Sequence, residues 1–328
     1  APPWNHGFDV SFVTESKVPT WDPMITPPQT AEDVKATLLE GEPFGTFYWT
    51  GPGQRVTENL EGDDSRVIMD RVIPFIEESV AQNQAFLSII WFHAPHLPVL
   101  TGEQYRSLYA ELSEDQQHYY GVISALDEQV GRLRNQLKTL GVADNTLIFY
   151  TSDNGPETSK EVRDKNIPHG RAQGITNGLR GRKRSLYEGG IRVPGIIEWP
   201  AKIPSGTQVD APCFTSDYFP TIAHILGIDP EKYQRSYDGE NLTPYWNKKK
   251  RKRTKPLAFQ FNKQFALIDN DQKLYGISAG GSQLYDLGQD TGEENDLSSA
   301  QPKKLEALQG LYREWNLSVQ NSNAGGDY

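Results

Sequence analysis

Asp153 and Asn154 stand side by side where the apolar run Leu147-Ile148-Phe149-Tyr150 breaks off in Ser152-Asp153-Asn154-Gly155. A carboxylate and an amide carbonyl that leave a strand together are two adjacent hard oxygen ligands, and the crevice beyond strand ends is where open α/β sheets bind ligands. Farther on, the basic cluster Arg180-Gly181-Arg182-Lys183-Arg184 precedes Glu188-Gly189-Gly190. Oxygen ligands for a cation with a lysine beside them suit an anionic ester. Taken singly, each piece has a plainer reading. Ser-Asp-Asn-Gly is a run of turn formers, and a basic cluster is usually a solvated face. His93 and His96 have a spacing used by zinc pairs, but Pro95 prevents the helical face such pairs use and no third ligand is evident.

These residues need elements to place them. Leu147–Tyr150 reads as a strand buried on both faces, and Ile191–Ile197 as another. Asp64–Gln82 carries apolar residues at helical spacing, with Pro74 in a first turn or at a kink. Phe86–Phe92 reads as a strand stopped by His93-Ala94-Pro95-His96-Leu97-Pro98. The clearest helix opens on a capping box, Ser113 with Gln116. It carries the stripe Val122, Ile123, Leu126, Val130, Leu133 and Leu137, and stops at Gly141. Strand, helix, strand predicts a parallel sheet covered by helices. Residues 1–62, rich in Pro, Gly, Thr and Trp, read as irregular with short strands, and 157–178 as a long loop over the site.

After Pro200 the character changes. A short helix runs from Asp217 to Leu226, then the run Lys248–Arg253 reads as an exposed connecting loop. Strand-like runs follow at Leu257–Phe261, Phe265–Ile268, Lys273–Ile277 and Gln283–Leu287, with a hairpin turn at Asn270-Asp271 and a final helix over Pro302–Trp315. This predicts a small α+β subdomain.

The chain has 328 residues and a formal net charge of −10. That length supports one large α/β domain with a smaller neighbour, and the acidic balance argues against a nucleic-acid binder. No apolar run approaches the roughly 18 residues of a membrane span. The single cysteine, Cys213, excludes an internal disulfide framework and reads as a small buried residue.

Together the segments resemble the sulfatase family of the alkaline-phosphatase-like superfamily. The resemblance rests on His6-Gly7-Phe8-Asp9, Ala94-Pro95-His96-Leu97-Pro98, and Ala125–Gly131 leading into Thr151-Ser152-Asp153-Asn154-Gly155. It rests further on Leu179-Arg180-Gly181-Arg182-Lys183 through Tyr187-Glu188-Gly189-Gly190-Ile191-Arg192-Val193-Pro194, on Asp217–Thr221 and on Tyr285-Asp286-Leu287. It implies an α/β fold with a mixed, mostly parallel sheet flanked by helices and a small C-terminal α+β subdomain. Residues 1–255 would be the remainder of the catalytic domain, and 256–328 an antiparallel-sheet subdomain. The implied activity is hydrolysis of a sulfate ester to an alcohol and inorganic sulfate. Calcium would be held in part by Asp153 and Asn154, with Lys183 and His96 on the sulfate group and His93 structural or supporting. His169 and Arg171 are substrate-contact candidates from their position alone. A small sulfated substrate, a sulfated carbohydrate first among them, is the implied partner. A secreted, periplasmic or lysosomal location is implied by the family only.

The sequence departs severely from the family in its N-terminal motifs. Cys/Ser-x-Pro-x-Arg, the motif whose Cys or Ser becomes the formylglycine nucleophile, does not occur in it. The N-terminal Asp-Asp pair and the Gly-Lys-Trp-His segment, which in the family precede His6-Gly7-Phe8-Asp9, are absent as well. The expectation is therefore a chain that begins partway through the domain and needs the N-terminal segment for catalysis. Two other readings stay open, a phosphodiesterase or phosphonate hydrolase of the same superfamily, and a non-catalytic shell that binds sulfated glycans.

Overall fold

The computed structural model describes residues 2–27, 42–157, 171–229, 232, 236–246, 252–278 and 280–326. It divides into two compact units, Ala1–Thr146 with Glu157–Gly174, and Leu147–Pro156 with Ile175–Tyr328. Within the second unit the C-terminal strands share a core with the segment around Leu186.

In the first unit, β1 (Val13–Thr14), β2 (Tyr48–Gly51) and β3 (Gln54–Arg55) form a small antiparallel sheet in chain order. Helix α1 (Asp64–Ala81) opens on Asp63, whose carboxylate accepts from the Arg66 amide at 2.8 Å, and runs through Pro74. Its buried face carries Val67, Ile68, Ile73 and Ile76, each stabilising by about 1.5–3 kcal/mol when fully buried. A short helix, α2 (Glu103–Arg106), precedes α3 (Glu114–Thr139), which begins with the Ser113–Gln116 capping box. It ends where Gly141 takes φ +73°, letting the Val142 amide donate to Leu137 O at 3.0 Å. Val122, Leu126 and Leu137 are buried as the stripe requires, whereas Ile123 is exposed.

The stretch read as a strand over 86–92 has no ladder partner among the described residues and forms no strand. Its side chains alternate. Ile90 and Phe92 pack on Tyr48, Leu60, Val67 and Ile68, while Leu87, Ile89 and Trp91 face outward.

In the second unit, β4 (Ile148–Thr151) pairs with β5 (Gly195–Glu198) in antiparallel register, Ile148 opposite Glu198 and Thr151 opposite Gly195. The parallel ladder expected here does not form. Glu188–Ile191 winds into a helical turn, α4, so the second strand starts only at Gly195 and runs back along the first. Every ladder among the described residues is antiparallel. Helices α5 (Tyr218–Ile225) and α6 (Thr243–Trp246) follow.

The rest is an antiparallel meander of β6 (Leu257–Phe261), β7 (Gln264–Asp269), β8 (Gln272–Ile277) and β9 (Ser282–Asp286). Its hairpin at Asn270-Asp271 is the expected one, with Asn270 at φ +55°. Period-two alternation gives the sheet two working faces. Leu267, Leu274 and Leu284 pack under Leu308 of α7 (Pro302–Asn323), which extends past the expected Trp315. Ala266, Tyr275 and Tyr285 pack on Leu186, with Tyr187 against them.

Two residues depart from their sequence reading. Cys213 is exposed, its thiol donating to Ala211 O at 3.3 Å. Arg253, at the end of the basic run, is 5% exposed and donates from both Nη atoms to the Asp217 carboxylate at 2.8 and 2.9 Å. Of that run, residues 248–251 lie outside the described residues.

Candidate functional site

The second unit carries the turn at the end of β4. The side-chain nitrogen of Asn154 donates to Gly155 O at 3.0 Å, which leaves the amide carbonyl as the group available to a ligand. Asp153 is exposed, and no donor among the described residues hydrogen-bonds its carboxylate. The turn is fastened to the loop that carries Lys183. The Gly155 amide donates to Gly190 O at 2.8 Å, and the Lys183 amide donates to Pro156 O at 3.0 Å. Close approach explains the glycines here: a Cβ at Gly155 would fall 1.9 Å from Gly189 O, and one at Gly190 would fall 2.0 Å from Ser185 O.

What holds this loop was not legible in the sequence. Lys273 of β8 is fully buried, and its Nζ lies 2.8 Å from Glu188 Oε1 and 2.8 Å from Glu293 Oε1. The Glu188 amide donates to Glu293 Oε2 at 2.6 Å. Arg180 stacks on Tyr187, with 4.0 Å from its guanidinium carbon to the ring centre, and donates to Tyr285 Oη and Glu293 O at 3.0 and 2.9 Å. Tyr187 in turn stacks on Tyr275 at 3.9 Å. Strand alternation was the available signal, since it places Lys273 on the same face as Tyr275.

The first unit carries His96 on an exposed bend. Its Nδ1 lies 2.6 Å from Leu97 O and must be the donor there, because a carbonyl only accepts; in the neutral ring Nε2 therefore holds the lone pair. The His96 amide donates to His93 O at 2.6 Å. His93 is tied in further. Its Nδ1 meets Asp64 Oδ2 at 2.8 Å, and its Nε2 meets the Thr14 hydroxyl at 3.0 Å. Tyr48 donates to the other Asp64 oxygen at 2.5 Å.

Arg171 is buried rather than open to a ligand. It donates to Val99 O at 3.1 Å and lies 3.7 Å from Glu114 and 3.6 Å from Asp115, in the first turn of α3. Negative side chains at a helix N-terminus are favourable neighbours for the helix, and a guanidinium beside them ties the incoming chain down. His169 lies outside the described residues. The structure thus joins Asp153, Asn154 and Lys183 through the backbone of one unit, and sets His96 and Arg171 in the other.

Among the described residues no three His, Cys, Asp or Glu side chains gather into a metal cage. The donor set at the turn nevertheless suits a hard cation as a partial shell. It offers one carboxylate that no donor among the described residues hydrogen-bonds, and one amide oxygen, where calcium takes about six to eight oxygens.

Comparison with known proteins gives the family and the fold. The family model described as Sulfatase matches residues 4–228. The chain is similar to Steryl-sulfatase of Homo sapiens, 37% identical over 143 residues, covering 44% of this chain and 24% of that protein. It is similar over a longer stretch to Uncharacterized sulfatase YdeN of Escherichia coli (strain K12), 26% identical over 321 residues, covering 84% of this chain and 55% of that protein. The chain therefore spans between a quarter and about half of these relatives. Among solved structures, Ps i-CgsB in complex with k-i-k-neocarrahexaose superposes with a TM-score of 0.78 at 24% identity, covering 96% of this chain and 67% of that one. BT4656 in complex with its substrate D-Glucosamine-2-N, 6-O-disulfate gives 0.58 at 18% identity, with 93% and 79% covered. At these identities the likeness shows the fold alone, an α/β architecture of the alkaline-phosphatase-like kind.

Proposed function

We propose, from the premise that the chain belongs to the sulfatase family, that it is part of an enzyme hydrolysing a sulfate ester to an alcohol and inorganic sulfate. The observation that carries the reading is the Asp153–Asn154 turn hydrogen-bonded through Pro156 to the backbone of Lys183. Two candidate cation ligands and the backbone that carries the lysine are then held in one unit.

In this reading Asp153 and Asn154 give two of the oxygens around a calcium ion. Bound there, calcium neutralises the charge of the sulfate oxygens and orients the group. The Lys183 ammonium, a compact charge, stabilises a non-bridging oxygen as negative charge develops. His96, assigned from the family resemblance, carries the proton for the departing alcohol. With Nδ1 held by Leu97 O, the protonated ring has its Nε2–H to donate, and it is left with a lone pair there afterwards. A formylglycine nucleophile belongs to this proposal and would lie outside these 328 residues, which hold no Cys/Ser-x-Pro-x-Arg.

The substrate class we favour is sulfated carbohydrate, in keeping with the oligosaccharide and the sulfated glucosamine named in complexes of two similarly folded proteins. No helix among the described residues is long and apolar enough to cross a membrane. A secreted, periplasmic or lysosomal setting is part of the proposal by family.

The test is turnover by the full-length protein on matched sulfate and phosphate esters, with and without calcium. Sulfate release from sulfated sugars that a chelator abolishes and calcium restores is the expected result. Faster release of phosphate than of sulfate would move the assignment to a phosphodiesterase or phosphonate hydrolase. Binding of sulfated glycans without turnover would leave only the non-catalytic shell.

A further inference from the structure

Lys273 comes from a part of the chain that carries none of the proposed site residues, yet its ammonium ends on the site loop. It projects from near the start of β8, opposite Ile268 on one neighbouring strand and Tyr285 on the other. Its two carboxylate partners, Glu188 and Glu293, are 3% and 0% exposed. A buried lysine between two buried glutamates is a costly arrangement that an apolar core of the same shape would avoid. Glu293 adds a second cost, because it holds φ +55°, a left-handed backbone value that residues other than Gly, Asn and Asp adopt infrequently. The cluster is therefore maintained against two local penalties.

Its contacts lead directly to the turn at Asp153. Lys273 holds the Glu188 side chain at 2.8 Å, and Glu293 holds the Glu188 amide at 2.6 Å. One residue on, the Gly189 amide donates to Arg180 O at 2.7 Å, closing the loop that contains Lys183. At the next residue, Gly190 O accepts from Gly155, the neighbour of Asn154. The close packing of Gly155 on Gly189 O leaves no slack in this path, so a shift of Glu188 is passed to the turn rather than absorbed.

We propose that Lys273 is a positioning residue of the site: by gripping Glu188 it sets the Glu188–Gly190 turn, and through that turn the placement of Asp153, Asn154 and Lys183. The C-terminal sheet is then the support of the site, with one face on α7 and the other on the site loop. The part of the proposal that concerns cation binding rests on the calcium reading above, whereas the part that concerns placement does not.

The test compares the full-length protein with Lys273→Met, which keeps the stem and removes the charge, and with Glu188→Gln, which neutralises the loop end of the pair. Each is measured well below its own melting temperature by amide hydrogen exchange and by calorimetric calcium titration. In both variants the Gly155 and Gly189 amides should exchange about tenfold faster or more, while the amides of Leu267 and Leu274 on the α7 side stay protected. Calcium affinity should fall by about 10- to 100-fold, the usual loss when an outer support of a metal site is removed. A variant that melts earlier but keeps wild-type exchange at Gly155 would show a merely structural ion cluster and overturn the proposal. If Lys273→Met does not fold, the Glu188→Gln exchange decides alone, with unchanged protection counting against it. A wild-type protein that binds no calcium and releases no sulfate sinks the functional reading, but the exchange comparison still decides whether Lys273 sets the turn.

Discussion

At the scale of single residues, the proposed roles separate by what each variant loses. His96→Gln should lower kcat by about 10²- to 10⁴-fold on esters of poor leaving alcohols and far less on aryl sulfates with good leaving groups, since only the former need the proton. An equal loss on both would remove His96 as the acid. Asp153→Asn keeps the shape and takes away the charge, so calcium affinity should drop while the melting temperature holds, the side chain being exposed. Calorimetry beside a thermal melt reads both quantities, and unchanged affinity would take Asp153 out of the cation shell. That Asp153 and Asn154 lie in the turn closing a strand was legible in the sequence, because an apolar run stopped at polar residues. Arg171 was not, for proximity to motifs along the chain does not tell whether a guanidinium faces a ligand or is buried against Val99 O and two carboxylates.

At the scale of elements, local signals decided what could be read. The ends of α3 were legible because a capping box and a positive-φ glycine act within a few residues of themselves. The meander after Leu257 was legible for the same reason, its first two hairpins closing over two-residue loops. The pairing of β4 was not, since ladder direction depends on a distant partner. The start of α1 carries a pH dependence. Burial, with the Asp64 carboxylate adding to it, pushes Asp63 up to about 7 from 3.8. The folded chain then holds a proton that the unfolded chain releases, so this residue's share of stability is full below the unfolded value and is lost as pH rises through about 7. Asp63→Asn, still a good helix cap, should flatten that loss. Urea midpoints at about pH 5 and about pH 8 check it, and an equal drop in wild type and variant would rule it out. Gly155→Ala tests the turn differently. The added methyl meets Gly189 O, so the variant should lose about 1–3 kcal/mol of stability, with neutrality showing that the turn has room to move.

At the scale of the whole molecule, two compact units contribute different proposed residues, and the second unit contains a buried ion pair that joins the Asp217–Thr221 motif to the end of the basic run. Arg253 and Asp217, 5% and 0% exposed, tie the chain after α6 to the start of α5. Asp217→Asn leaves the guanidinium short of its counter-charge and should cost about 3–5 kcal/mol in a denaturant titration, whereas a change below about 1 kcal/mol would mean that Glu240 and the carbonyls suffice. The composition of the basic run pointed the wrong way for Arg253, because burial of a cation is decided by a carboxylate 36 residues earlier. The stretch carrying Leu87, Ile89 and Trp91 has a handling consequence. An outward row of large apolar side chains on a backbone with no ladder partner among the described residues is a template for sticking to another copy. These 328 residues expressed alone should be recovered largely as aggregate, and Ile89→Lys should raise the soluble yield and lower light scattering without shifting the helical signal.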